Sequence, residues 1–279
     1  MVYGNADAIS TQFQGYWKVE PVNQLEIRYN APNYNRKPTG MACINGALYL
    51  AVQDLHKTTF ADAPSASISK STNHGTSWTW DTQQPMFKDG QFTTIFFLDF
   101  GKNNTNAIDN YVYAYGLTNN WRGQDKLYLA RVLSDQIQSR PAWQFYTGSD
   151  PNPGGSLHWS SVFDTNKPVL QDAANSIGQG GVVFDKPLNR YIYTSWGGGA
   201  TPTFFFYEAP KPWGPWKRFL TREFANTASD YGGYATTIPS KFISPDGKTM
   251  WVQSNICQPC KNTKLGNYSF SLREFIAAP

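Results

Sequence analysis

The feature that most constrains this chain is a phrase of strand, tight turn and strand that occurs four times. Thr236–Ile256, TTIPSKFISPDGKTMWVQSNI, sets Pro245-Asp246-Gly247 between two apolar runs. Asp-Gly in that setting signals a hairpin, because glycine supplies the positive φ that the turn needs. Thr39–Leu55 turns at Asn45-Gly46, Thr93–Leu117 at the Lys102–Asn110 loop, and Gly180–Trp196 at Lys186-Pro187-Leu188-Asn189. One or two further strand-like runs follow each pair. Four such units in series predict sheets repeated around an axis. The expected fold is all-β, a β-propeller of five blades with the first incomplete or atypical, or of four.

The blades are expected at residues 38–87, 92–148, 180–224 and 236–276 of a single domain spanning 1–279, with 1–37 supplying N-terminal closing strands. Residues 12–34 hold one or two strands, too few for a four-stranded blade. The last blade shows three (TIPSKFIS, TMWVQSNI, NYSFSLREFI), which leaves a place for an N-terminal strand. In the first blade the strands read TGMACI, ALYLAVQDL, SASISKS and SWTWDT. Between the last two, Ser71 to Trp78 (STNHGTSW) resembles the Asp-box, S-x-D-x-G-x-T-W, of sialidase-like propellers, with Asn73 in the Asp place. Such a turn bonds its own backbone and marks the fold rather than chemistry. A long connection from Ser149 to Gln179 reads as a functional loop, since structureless segments of this size are uncommon in compact domains.

Composition narrows the function classes. Aromatic residues make up 16% and charged residues 16%, against about 25% charged in an ordinary domain. That balance suits an extracellular-type carbohydrate protein with many stacking rings. Net charge is +4, from 24 basic and 20 acidic residues, with no basic run, which argues against nucleic acid. No apolar run approaches the ~18 residues of a membrane span. Met1–Thr11 has no signal-peptide core, so the chain is either cytosolic or, as the composition favours, a secreted or extracellular monomer whose leader has been removed. Cys257 and Cys260 form a lone C-x-x-C that reads as a loop disulfide or two free thiols, and Cys43 falls in a strand. Neither these nor His56, His74 and His158 show metal-ligand spacing. No cofactor is implied, and a structural Ca²⁺ is left open.

Propeller geometry sorts side chains by face. The innermost strand starts at the funnel and the second strand returns to it, so loops joining the second and third strands share one mouth. Asp54, His56 and Lys57, Trp121, Arg122 and Asp125, His158 and Trp159, Gln179, Ser195 and Trp196, Asp230, Tyr231 and Tyr234, and Gln253 with Asn255 are expected there. Asn73, His74, Asp185, Glu208 and Asp246 are expected on the opposite face. Flat rings stack on sugar faces while amides read hydroxyls, so Trp121, Trp159, Trp196 and Tyr231, with Arg122, Gln179 and Asn255, are the candidate polysaccharide- or oligosaccharide-binding set. Glycoside hydrolysis needs two carboxyl groups, ~5–5.5 Å apart for retention or ~6.5–9.5 Å for inversion. Asp54 is the first candidate, with Asp125 or Asp230 as partner and Asp172 behind them. A polysaccharide lyase would instead use His56 and Tyr234 as base and acid, with Arg122 and Lys57 neutralising a uronate. A non-catalytic glycan-binding propeller is the third class.

Leu127–Val132 (LYLARV), Ile137–Phe145 (IQSRPAWQF) with Gly148, and above all Ile238–Trp251 (IPSKFISPDGKTMW) resemble a bacterial and fungal family long described as a domain of unknown function. The likeness runs from about Pro38 to Ile276. It implies a five-bladed propeller related to sugar hydrolases, some members being endo-D-arabinanases, and hence an arabinan-like substrate. Two features depart from that pattern. The family's first blade carries an acidic F-G-D-T-like strand, which is absent here, residues 1–37 being too few to hold that blade. Where arabinanase-type propellers place Gly-Glu at the start of an inner strand, this chain reads Ile177-Gly178-Gln179, and an amide cannot act as a general acid.

Overall fold

The computed structural model describes residues 33–152, 154–174, 176–197, 202–225, 232–257 and 268–277. Strands β1 (Tyr34–Ile44), β2 (Ala47–His56) and β3 (Ala66–Ser71) form the first sheet. The second contains β4 (Thr94–Asp99), β5 (Tyr111–Leu117), β6 (Lys126–Leu133), β7 (Gln144–Ser149) and β8 (Leu157–Ser160), with the two-residue β9 (Leu170–Gln171) against β6. The third is β10 (Gly181–Asp185), β11 (Arg190–Gly197), β12 (Thr203–Ala209) and β13 (Lys217–Glu223). The fourth is β14 (Tyr234–Thr237), β15 (Thr249–Cys257) and β16 (Tyr268–Ile276). Within each sheet neighbours run antiparallel, whereas β4 and β10 lie parallel, with Val182 opposite Leu98. The first strands crowd one another. A Cβ on Gly40 of β1 would fall 2.7 Å from the Phe96 Cα of β4, and one on Gly181 of β10 would fall 2.9 Å from Thr237 Cγ2 of β14. Inner strands packed side by side, each starting a sheet that meanders outward, are the architecture of a β-propeller.

The core lies between successive sheets, and strand periodicity builds it. Side chains alternate across a strand, so a strand buried on both faces reads as a continuous apolar run. In β4, Ile95 and Phe97 join Tyr49, Ala51 and Ile68 of the first sheet, while Phe96 and Leu98 face Val182 and Tyr193 of the third. The same split occurs in β11. Tyr191 and Tyr193 look back to the second sheet, and Ile192 and Trp196 look forward to Met250 and Val252 of the fourth. Aromatic stacking continues through these layers, with Phe96 against Tyr193 at 5.9 Å and Phe206 against Phe275 at 5.4 Å.

Three of the four turns close on residues that tolerate positive φ. Asn45, Asn189 and Gly247 take φ of 51°, 52° and 75°. Ser71–Trp78 bonds itself as its residue types require: Asn73 Oδ1 accepts from Ser71 Oγ and from the Ser77 N–H, and Trp78 Nε1 donates to the Gly75 carbonyl.

Three local expectations are corrected. TIPSKFIS is not a continuous strand: β14 ends at Thr237, Pro239 offers no N–H, and Ser240–Phe242 is a 3₁₀ turn whose Ser240 N–H goes to Asp99 Oδ2 at 2.8 Å. SWTWDT is not a fourth strand, having only a bridge from Thr79 to Lys70. The Gln138 side chain takes the Ile68 carbonyl and the Met86 sulfur meets the Ile68 N–H, so the outer edge of β3 is already occupied. The Ser149–Gln179 connection is no free loop, because β8 and β9 lie within it. The expected strands of residues 12–32 lie outside the described residues.

Candidate functional site

Register defines one rim. Arg36 lies opposite Asp54, Thr94 opposite Leu117, Gly181 opposite Thr194, and Tyr234 opposite Asn255. The start of each first strand thus meets the end of each second strand at the same side of the molecule. Three rings from three sheets converge there: Trp121 just beyond β5, Trp196 in β11 and Tyr234 opening β14. Their centroids are 5.1 Å apart for Trp121–Trp196, 5.8 Å for Trp121–Tyr234 and 5.6 Å for Trp196–Tyr234. Trp196 is buried and the other two are half-buried. The exposed Arg122 holds its guanidinium 5.7 Å from the Trp121 ring.

Gln179 is clamped beneath these rings. Its N–H donates to the Trp121 carbonyl at 2.6 Å, its carbonyl accepts from Trp196 Nε1 at 2.8 Å, and its Nε2 donates to the Thr39 carbonyl at 3.1 Å. The neighbouring Gly178 is held by Ser195 Oγ and by the Tyr193 hydroxyl. Among the described residues nothing donates to Gln179 Oε1, which leaves that oxygen as an acceptor at the rim. Asn255 faces Tyr234 across the β14–β15 pair, where Ala235 takes a φ of 50° and the register shifts.

A second group sits at the top of the first sheet. Asp54 is buried and accepts from Ser65 Oγ at 2.9 Å. The Tyr34 hydroxyl donates to Asp62 Oδ2. That bond, burial and the charges of Asp62 and Asp54 push the Tyr34 phenol above its ordinary value. Tyr34 meets the His56 ring edge-on at 5.2 Å. His56 Nδ1 accepts from the Thr58 and Thr59 N–H groups, so this nitrogen is spent on the turn. The turn joins both groups: the Phe60 N–H bonds the His56 carbonyl, and the Phe60 carbonyl accepts from Trp121 Nε1 at 2.6 Å.

The remaining expected members take the following places in the fold, and not all of those described meet these two groups. Trp159 lies in β8 on the outer edge of the second sheet, against Tyr113, Tyr146 and Arg131, because the segment carrying it pairs with β7. Its neighbour His158 pairs with Asp150 at 3.0 Å. Asp125 accepts from Gln171 Nε2 at 3.3 Å on the shoulder where β6 meets β9, rather than meeting the rings. Asp172 binds Tyr207 and Arg218 at 3.0 and 3.2 Å. Burial would raise its carboxyl, but the Ala174 N–H, Tyr207 and Arg218 outweigh burial and hold it below the usual value. Lys57 is exposed and its N–H bonds the Asn33 carbonyl. Asp230 and Tyr231 lie outside the described residues, as does Cys260. Sequence reasoning missed Asp62 and Tyr34, which no motif or periodicity marks. Among the described residues no three His, Cys, Asp or Glu side chains cluster to hold a metal.

The family model described as a domain of unknown function, DUF4185, matches residues 18–256. The chain belongs to that family. The DUF4185 fold is shared with solved glycoside hydrolases. A xylan β-1,4-xylosidase from Bacillus halodurans C-125 is similar with a TM-score of 0.51 at 11% identity, over 90% of this chain and 43% of that one. The Bacteroides ovatus Xyloglucan PUL GH43B protein is similar with a TM-score of 0.50 at 16% identity, over 87% and 40%. This DUF4185 chain therefore spans about two-fifths of the length of each, and at such identity the likeness shows the fold. No curated protein matches the sequence.

Proposed function

We propose that the rim binds a saccharide chain and that the protein cleaves a glycosidic bond in it, with Asp54 in the acid–base set and Asp62 as the neighbouring carboxyl. The observation that carries this reading is the convergence of Trp121, Trp196 and Tyr234 from three separate sheets, beside the Asp54–Asp62 corner. A propeller of glycoside hydrolase type supports it. Half-buried Trp121 and Tyr234, backed by buried Trp196, offer apolar faces to a sugar, Arg122 and Gln179 Oε1 offer polar contacts, and two carboxyl groups meet the elementary need of glycoside hydrolysis. An arabinan-like polysaccharide is the first substrate to test, and a secreted protein fits such a substrate. Digestion of a glycan panel resolved by mass is the experiment. New reducing ends are expected, lost on Asp54→Asn and on Asp62→Asn, with Trp121→Ala weakening substrate binding about tenfold. Full cleavage by Asp54→Asn would remove the assignment.

A second reading is binding without cleavage, and Gln179 favours it: an amide stands where a carboxyl group could serve as acid. In that case no glycan in the panel is cut, yet one raises the melting temperature through linkage. Elimination by His56 is less well supported, because its Nδ1 is committed to the turn at Thr58 and Thr59.

A further inference from the structure

A cleft of about 570 Å³ opens between the first two sheets, lined by residues other than those of the rim. Its size lies within the ~300–1,000 Å³ of small-molecule sites. Phe87, Phe145 and Phe163 supply apolar wall, and Gln84, Gln91 and Gln138 supply amides. Arg140 also lines it. The guanidinium carbon is 5.3 Å from the Phe87 ring centroid and 5.0 Å from that of Phe145. Arg140 is half-buried, and burial lowers its basicity. Among the described residues no carboxylate pairs with it, although Asp81 and Asp89 stand on the same cleft. Gln138 is already anchored, its Nε2 donating to the Ile68 and Thr79 carbonyls, which leaves its Oε1 toward other donors.

A half-buried guanidinium fixed against two rings, with no carboxylate among the described residues paired to it, can take up an anionic group. Its planar fork matches a carboxylate through two parallel N–H···O bonds. A bare anion would leave the phenylalanine wall and the amides unused. A sugar ring bearing a carboxylate uses all three: carboxylate to Arg140, apolar face to the half-buried Phe163, hydroxyls to the glutamines.

We infer that this cleft is a second saccharide site, selective for a uronate unit and separate from the rim. It does not depend on the rim's chemistry, because its residues are distinct from those of the proposed cleavage site. The test is titration of the full chain at low salt with glucuronate and galacturonate, with glucose and acetate as controls, read by calorimetry and ligand-observed NMR. Saturable binding of a uronate at millimolar concentrations is expected, stronger than for either control. Arg140→Gln is expected to weaken it at least tenfold while Asp54→Asn leaves it unchanged. Gln91→Trp, on the exposed wall, is expected to fill the cleft and abolish binding, and it keeps the test decisive if Arg140→Gln does not fold. No saturable binding of either uronate, equal binding of glucose or acetate, or binding that survives Gln91→Trp would overturn the inference.

Discussion

Single atoms decide the rim. A Cβ on Gly180 would lie 1.9 Å from the Thr194 carbonyl oxygen and 3.2 Å from that of Thr236. Gly180→Ala must therefore push two neighbouring strands apart, and a loss of about 3 kcal/mol in denaturant unfolding is expected. Gln179 is an amide for a structural reason as well: its Nε2 donates to the Thr39 carbonyl. Glu at this position would face a carbonyl with a carboxylate, so Gln179→Glu is expected to cost about 1–3 kcal/mol near neutral pH. A gain in glycan cleavage by that variant would instead show a vacated catalytic position. At the opposite end of β10, buried Asp185 has its carboxyl raised by burial and by the Asp246 charge, against the opposing Leu188 N–H. The folded value lies above the unfolded one, so the folded state binds more protons. Stability from this group is full below the unfolded carboxylate pKa and falls as pH rises through the folded value. Asp185→Asn should then raise the melting temperature at neutral pH, with the gain vanishing near about pH 3.

Elements here are held by side chains as much as by ladders. The Ser71–Trp78 turn ends β3 through bonds of Asn73 to Ser71, to the Ser77 N–H and to the Ser77 hydroxyl. Asn73→Ala is expected to cost about 1–2 kcal/mol in thermal unfolding, with saccharide binding at the distant rim unchanged. Asn73→Asp keeps the accepting oxygen, and the Ser77 hydroxyl can turn to donate to its second oxygen, so it should cost less. β14 shows the reverse case, an element shorter than its apolar pattern. Pro239 removes a donor and Asp99 captures the next N–H, so local hydrophobicity loses to hydrogen-bond supply.

For the whole molecule, the sheets share layers rather than a common centre. Each inner and second strand of the second and third sheets contributes one face to the preceding interface and one to the next. Phe97 is 6% exposed in the layer between the first two sheets, whereas Phe219 is 41% exposed at the outer edge of the third. Phe97→Ala is expected to cost about 3–5 kcal/mol and Phe219→Ala well under half of that, both read from urea unfolding. Equal costs would refute the layered core.

Turn chemistry, strand alternation and the order of faces were legible in the amino acids, because each is fixed by neighbours a few residues apart. From these alone follow the all-β propeller and the arrival of Trp121, Trp196 and Tyr234 at one rim. Contacts between distant segments were not legible. Gln179 reaches Thr39 across 140 positions, and Tyr34 reaches Asp62 across 28. Trp159 left the rim because β8 found an open edge on β7, a competition between strands that no local pattern encodes. Residue types dictated which pieces could form; only packing of the sheets against one another chose which side chains would meet.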